Sequence, residues 1–190
     1  MIVGLERIVA PVAEPVSLEE IKAQARVDDG GEDALLTGLI VAAREWVELY
    51  TGRAVMTQTW RLWLQQWPID RAFVEVPRMP LQSVSQVMLY AADETSSVWS
   101  SAAYSVDQAA GRMWLRDGQA WPLAGRAMRG ISVDFVAGYA DSAHVPEAIK
   151  LAIRQLVTHW FEQRGEAGEM LREIPFGVAA LLAAYRKVSL

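Results

Sequence analysis

Thr59-Trp60-Arg61-Leu62-Trp63-Leu64 is where the period of the chain changes, and the reading of the fold turns on it. Trp60, Leu62 and Leu64 alternate with Thr59, Arg61 and Trp63, so one set of side chains lines one face of an extended strand. The same period of two returns at Ile131, Val133 and Phe135, which alternate with Ser132 and Asp134. Shorter strands are expected at Phe73–Val76, Gln86–Tyr90, Tyr104–Val106 and Arg112–Leu115. Pro77 and Pro80, the turn from Asp93 to Ser97, and Gly111 and Gly118 separate them. Short strands this close in sequence favour antiparallel pairing, because parallel pairs need long crossovers.

On either side of this block the period is helical. Ser17-Leu18-Glu19-Glu20 has the form of a capping box, with Val16 and Ile21 spaced as a hydrophobic staple. Leu18, Ile21 and Ala25 form the stripe of a short helix that Asp28-Asp29-Gly30-Gly31 should end. From Glu32, Leu36, Leu39, Ile40, Ala43, Val47 and Tyr50 recur at three- and four-residue intervals, and Gly52 follows as a C-terminal cap. The other face of this second helix carries Arg44, Glu45 and Glu48 and is expected to be wet. A third helix opens at Val145-Pro146-Glu147 and takes Ile149, Ile153, Leu156 and Trp160 as its stripe. The polar stretch Gly165 to Glu173 reads as a hinge. It leads through Pro175 to a last small helix bearing Val178, Leu181, Leu182 and Tyr185.

The fold class is therefore α+β: an α-helical core of two N-terminal and two C-terminal helices with an inserted antiparallel β-rich lobe. As one domain, it divides into an N-terminal arm (1–16), two helices (17–52), the β-rich insertion (53–139), the third helix (140–164), and the hinge with the C-terminal helix (165–190). At 190 residues, 52% hydrophobic, two full domains are not expected. The N-terminal sequence has Glu6 and Arg7 inside its only apolar stretch and so reads as an arm rather than a secretory signal. The longest apolar tract, Val178 to Tyr185, is far below the ~18 residues of a membrane span, so no membrane partner is expected.

Composition removes several chemistries. With no cysteine, the chain has no disulfide, zinc ribbon, iron-sulfur cluster or thiol nucleophile. His144 and His159 are the only histidines and no HExxH spacing is present; Asp141, His144 and Glu147 open a helix, where capping is the expected role. There is no GxSxG elbow, and Lys22, Lys150 and Lys187 follow no glycine-rich phosphate loop. Carboxylate pairs such as Glu19-Glu20 and Asp28-Asp29 sit at helix ends and read as caps and solvated charge. Neither a catalytic residue, a metal nor a cofactor is expected.

The formal net charge is -5, and it is uneven: residues 1–52 carry 10 acidic and 4 basic side chains, 53–139 carry 7 and 8, and 140–190 carry 6 and 6. That sign opposes tight binding to phosphate backbones. The one pattern suited to nucleic acid is Arg112, Trp114, Arg116, Trp121, Arg126 and Arg129, where guanidinium groups and indoles interleave as on a stacking platform. The plainer reading is a small sheet whose tryptophans pack and whose arginines stay wet, or a subunit contact. The last helix is too short to hold itself together in water, so its Ala/Leu/Val face must be covered by its own core or by a partner.

Taken in order, these elements resemble the head-tail connector, or adaptor, family of long-tailed double-stranded DNA phages, prophages and gene transfer agents. The resemblance is carried by Ser17-Leu18-Glu19-Glu20 with Arg26-Val27-Asp28 and Glu32 to Leu36, by Tyr50-Thr51-Gly52-Arg53 with Thr57-Gln58-Thr59-Trp60, and by Pro80-Leu81-Gln82-Ser83-Val84. It continues through Tyr104-Ser105-Val106-Asp107, Phe135 to Tyr139, Val145 to Lys150, and the ending from Gly177-Val178 through Leu181-Leu182 to Tyr185-Arg186.

The resemblance implies a non-enzymatic virion protein, assembled in the bacterial cytoplasm, in the neck of a phage or phage-like particle. It implies a ring of about twelve copies, closed head to tail, under the portal protein. Such a ring would extend the DNA channel and dock the next connector (stopper) or a tail protein. It further implies portal docking by the C-terminal segment, here Phe176, Val178, Leu181, Leu182, Tyr185 and Arg186. The acidic N-terminal third suits a channel through which double-stranded DNA passes without tight binding. The rival readings are a DNA-binding accessory domain built on the Arg/Trp cluster and an unrecognised small hydrolase.

Overall fold

The computed structural model describes residues 2–163 and 174–186. Its elements run β1 (Ile2–Val9), α1 (Leu18–Ala25), α2 (Asp33–Thr51), β2 (Gln58–Leu64), β3 (Phe73–Glu75), β4 (Leu81–Tyr90), β5 (Ser96–Val98), β6 (Tyr104–Asp107), β7 (Arg112–Leu115), β8 (Ile131–Ala137), α3 (Glu147–Glu162) and α4 (Phe176–Leu182). Helices and antiparallel sheets make the protein α+β. Two compact units divide it: a β unit of residues 1–11 and 57–138, and a helical unit of 12–56 and 139–190. The stretch Gly165 to Glu173, read above as a hinge, lies outside the described residues.

In the β unit, five strands form one sheet in the order β1-β2-β8-β4-β5, and three more form a second in the order β3-β7-β6. The pairings between these strands are antiparallel. The alternation that identified β2 is the alternation of its burial: Gln58, Trp60, Leu62 and Leu64 are buried and Thr59, Arg61 and Trp63 are not. β8 is central, with both neighbours paired along most of its length. It is buried on both faces apart from Val136. Its polar residues are therefore inside: Asp134 accepts a two-pronged hydrogen bond from Arg61 of β2, at 2.7 and 2.8 Å. That bond raises the Arg61 guanidinium above its already high ordinary value, against the burial that would lower it.

The strand β1 differs from the sequence reading, in which residues 1–16 are an arm. Ile2–Val9 pairs with β2, as in Leu5 with Leu62 and Arg7 with Trp60. It is an edge strand with most side chains exposed, so it carries no clean in-out alternation from which to read it.

In the helical unit the capping box is complete: Glu20 N–H donates to Ser17 Oγ at 3.1 Å and Ser17 N–H to Glu20 Oε2 at 2.7 Å. Val16 and Ile21, the staple pair, are both buried. α1 ends at a left-handed Arg26, before the Asp28–Gly31 run, and α2 ends at a left-handed Gly52 (φ 72°). Pro146 caps α3 from just outside its first turn. Leu36, Ile40, Ala43 and Val47 of α2 meet Ile149, Ile153, Leu156 and Val157 of α3 in one core that also takes Val178 and Leu182 of α4.

Arg44 and Glu48 correct the expectation that the polar face of α2 is wet. Both are buried, and only Glu45 of that trio is exposed. Arg44 Nη1 donates to Glu48 Oε2 at 3.0 Å and its Nε to Glu14 Oε2 at 2.8 Å, while Glu48 Oε1 accepts the Val55 backbone N–H at 2.8 Å. Each carboxylate oxygen of Glu48 thus has a donor, which is what lets the charge leave water. The network ties the segment entering α1, the middle of α2 and the segment leaving α2 to one another.

Candidate assembly surfaces

The C-terminal helix is the first candidate. Val178 and Leu182 are fully buried, and Leu181 and Tyr185 pack at the margin of the same core. The chain after α4 is held as well. Arg53 Nε donates to the Tyr185 carbonyl at 2.8 Å with its guanidinium 5.9 Å from the Tyr185 ring centre, and the Arg186 guanidinium lies 5.1 Å from the Tyr50 ring centre. Tyr50 in turn stacks on Trp46 at 5.0 Å between ring centroids. Beside them Tyr139 is half-buried; burial pushes its hydroxyl pKa up, partly opposed by the nearby Arg53 charge. The side chain of Phe176 lies outside the described residues. A short helix cannot persist alone in water, and here its own core covers it.

The second candidate, the Arg/Trp cluster, is not one surface. Arg112 and Trp114 lie on β7, against Phe73 of β3: the guanidinium is 4.4 Å from the Phe73 ring centre and the indole 4.7 Å from it. Arg116 Nε donates to the Tyr104 carbonyl at 2.9 Å. Trp121 stacks on Trp67 at 4.5 Å, and Trp99 joins the two and meets Tyr104 at 5.3 Å. Arg126 is bound three ways, to Glu94, to the Met128 carbonyl and to the Arg129 carbonyl, and lies over Tyr90. Arg129 lies over Trp63. The indoles stack on the protein's own rings and the guanidinium groups are committed to carbonyls, carboxylates and ring faces. Arg116 and Arg129 are exposed, and Trp114 and Trp121 are half-buried.

At the start of α3, Asp141 accepts from the His144 backbone N–H at 3.1 Å and lies 2.7 Å from His144 Nδ1. Those bonds hold the Asp141 carboxyl below the ordinary carboxylate range, and Lys150 with Arg154 does the same for Glu147. Capping and helix-surface pairing account for these groups. Among the described residues no cluster of three or more histidine, aspartate or glutamate side chains could hold a metal ion. No helix there is long and apolar enough to cross a membrane.

Sequence reasoning missed the surface of α2 away from the core. There Ala34, Leu35, Thr37, Gly38, Ala42, Glu45 and Leu49 are exposed, with Leu49 at 77%. The signal was present as the charge-free run Ala34 to Ala43, hidden because the buried stripe passes through the same residues.

A family model described as phage gp6-like head-tail connector protein matches residues 15–109. No curated protein sequence matches the chain. Among solved structures, the fold is similar to a chain in the neck of an empty gene transfer agent particle computed with C6 symmetry, at 24% identity and a TM-score of 0.81. That match covers 99% of this chain and 97% of the other. It is similar at the same coverage to a chain of the native gene transfer agent virion, with 23% identity and a TM-score of 0.82. A chain in the native neck computed with C12 symmetry gives 23% identity and a TM-score of 0.75, again at the same coverage. At such identities the likeness is one of fold.

Proposed function

The chain belongs to the phage gp6-like head-tail connector family, and from that membership we propose that it is the adaptor of a phage or phage-like particle such as a gene transfer agent. It is a structural connector, not an enzyme. Twelve copies close a ring in the particle neck under the portal protein, extend the DNA channel and dock the next connector or a tail protein. The family match carries this reading, because it runs from the capping box of α1 through α2 and on into the β unit. The neck chains of gene transfer agents, alike in fold over nearly their whole length, support a ring, and the C12 symmetry used for one of those necks is in keeping with twelve copies.

Within this reading the helical unit is the assembly core and the β unit, which also holds the N-terminal strand β1, faces a neighbour. Portal docking falls to the C-terminal segment, with its labour divided by burial. Val178 and Leu182 hold α4 on its own core, while Leu181, Tyr185 and Arg186, half-buried or exposed, are left to meet the portal. Double-stranded DNA passes without tight binding, in keeping with an acidic chain whose Arg/Trp residues are already engaged.

Deleting the gene tests the assignment. Particles lacking the chain should accumulate as heads without tails, and expression of the wild-type chain should restore tails. Tailed particles in its absence would overturn the reading.

A further inference from the structure

The chain passes between its two units three times, after Pro11, after Met56 and after Gly138. Glu14, Val55 and Tyr139 lie beside those crossings within the helical unit, and one buried arginine of α2 gathers them. Arg44, 3% exposed, donates from Nε to Glu14 Oε2 at 2.8 Å and from Nη1 to Glu48 Oε2 at 3.0 Å. Glu48 passes the tie on. Its Oε1 accepts the Val55 N–H at 2.8 Å, and the Val55 carbonyl accepts the Tyr139 N–H at 3.2 Å. An unbroken run of hydrogen bonds therefore joins the segments at all three crossings, far apart in the chain as they are.

The β unit pins its own end of two crossings in the same manner. Gln82 Nε2 donates to Thr57 Oγ1 at 2.8 Å and to the Gly138 carbonyl at 2.7 Å.

Stability alone does not call for charge at Arg44 and Glu48, since well-packed apolar side chains of similar volume often stabilise as much as a buried ion pair or more. What an apolar pair lacks is direction. A guanidinium is a planar fork whose donors point at fixed angles, and here two of its nitrogens each meet a carboxylate. Turning any member of the network leaves a buried polar group without its partner, so one arrangement of the three segments is strongly favoured.

We propose that Arg44 is a positioning residue for assembly. Acting through Glu14 and Glu48, it holds the three segments by which the helical unit joins the rest of the chain in one arrangement, so that every copy enters the ring alike. The proposal rests on the adaptor reading. A closed ring repeats one head-to-tail contact in every copy, so a departure in the shape of the copy recurs at each step and the ring fails to close.

The chain has no cysteine, so spin labels report only from where they are placed. Full-length chain carrying Val12→Cys and Ala140→Cys, both exposed and beside the first and third crossings, should give one narrow distance distribution by pulsed electron paramagnetic resonance. Arg44→Met with Glu48→Leu should stay folded yet about double the width of that distribution, because the freed segments regain backbone conformations. Without labels, the same variant should yield about tenfold fewer closed rings on the portal, since each misfit recurs around the ring. Glu14→Ala, at a half-buried carboxylate, should change both readouts in the same direction. Glu14→Gln should restore them, because its amide oxygen still accepts from Arg44.

A folded Arg44→Met, Glu48→Leu chain that forms rings as well as wild type would overturn the inference, with the adaptor reading intact. Fewer rings at an unchanged width would overturn it too, since the loss would not arise at the crossings. If that variant unfolds, Glu14→Ala and Glu14→Gln decide by the same two readouts. Wild-type chain that makes no ring with its portal would overturn the adaptor reading and, with it, the assembly role of Arg44.

Discussion

Arg44 and Glu48, one turn apart on α2, are both buried and joined at 3.0 Å, with Glu14 on the guanidinium's Nε at 2.8 Å. Removing the cation leaves two carboxylates beside an apolar core, one of them buried. Arg44→Ala should therefore destabilise the free chain by about 3–5 kcal/mol, as read by urea unfolding. Arg44→Met together with Glu48→Leu should recover much of that loss, because neither charge then stays behind. Equal losses in the single and double variants would show that packing, and not the ion pair, sets the cost.

Ser17 closes the capping box of α1. Ser17→Ala should cost about 1 kcal/mol, lowering the melting temperature by a few degrees, while Ser17→Asp should nearly restore it. A Ser17→Ala chain as stable as wild type would mean that the tertiary contacts of α1 hold it without a cap.

Leu182 and Leu181 should behave differently, although they are neighbours of the same type. Leu182 is fully buried, so Leu182→Ala should cost about 2–5 kcal/mol in the free chain. Leu181 sits at the margin, and Leu181→Asp should cost less while weakening portal association, as measured by co-sedimentation with the portal. Normal portal binding by Leu181→Asp combined with Arg186→Glu would remove the C-terminal segment as the docking element.

Asp141 and Glu147 are held below the ordinary carboxylate range by His144 and by Lys150 with Arg154. Carboxyls depressed in the folded state contribute stability that is present above their unfolded values, about 3.9 and 4.3. It is lost as pH falls through the lower, folded ones. A carbon-detected titration should place both midpoints below those reference values, and Lys150→Ala should move Glu147 upward. An unmoved Glu147 midpoint in that variant would break the link to Lys150.

The helices and the strands that bury one face were legible from their period, β2 by twos and α2 and α3 by threes and fours, whereas β5 (Ser96–Val98), exposed throughout, overlaps the segment read as a turn. The order of the five-stranded sheet was not. β8 is the last strand in the chain, yet it lies between β2 and β4, and no local pattern encodes that insertion. β1 was missed because an edge strand in the N-terminal segment exposes Ile2, Val3, Ile8 and Val9 irregularly. Arg44 and Glu48 were placed in water because charge predicts exposure until its partners are seen, and Glu14 lies 30 residues away. The Arg/Trp residues were legible as a run but not as three groups: Arg112 and Trp114 lie on Phe73, Arg116 and Trp121 about Tyr104 and Trp99, and Arg126 and Arg129 on the Tyr90 and Trp63 rings.

The assembled state decides whether the connector works as a ring. Full-length chain should be mixed with its portal and examined by negative-stain imaging and native mass measurement, with the chain alone as control. The adaptor assignment predicts protomers or loose associations in the control, and closed rings of twelve copies seated on one end of the portal in the mixture. Chain that ignores the portal, or that forms a stable dimer unchanged by it, would contradict the assignment.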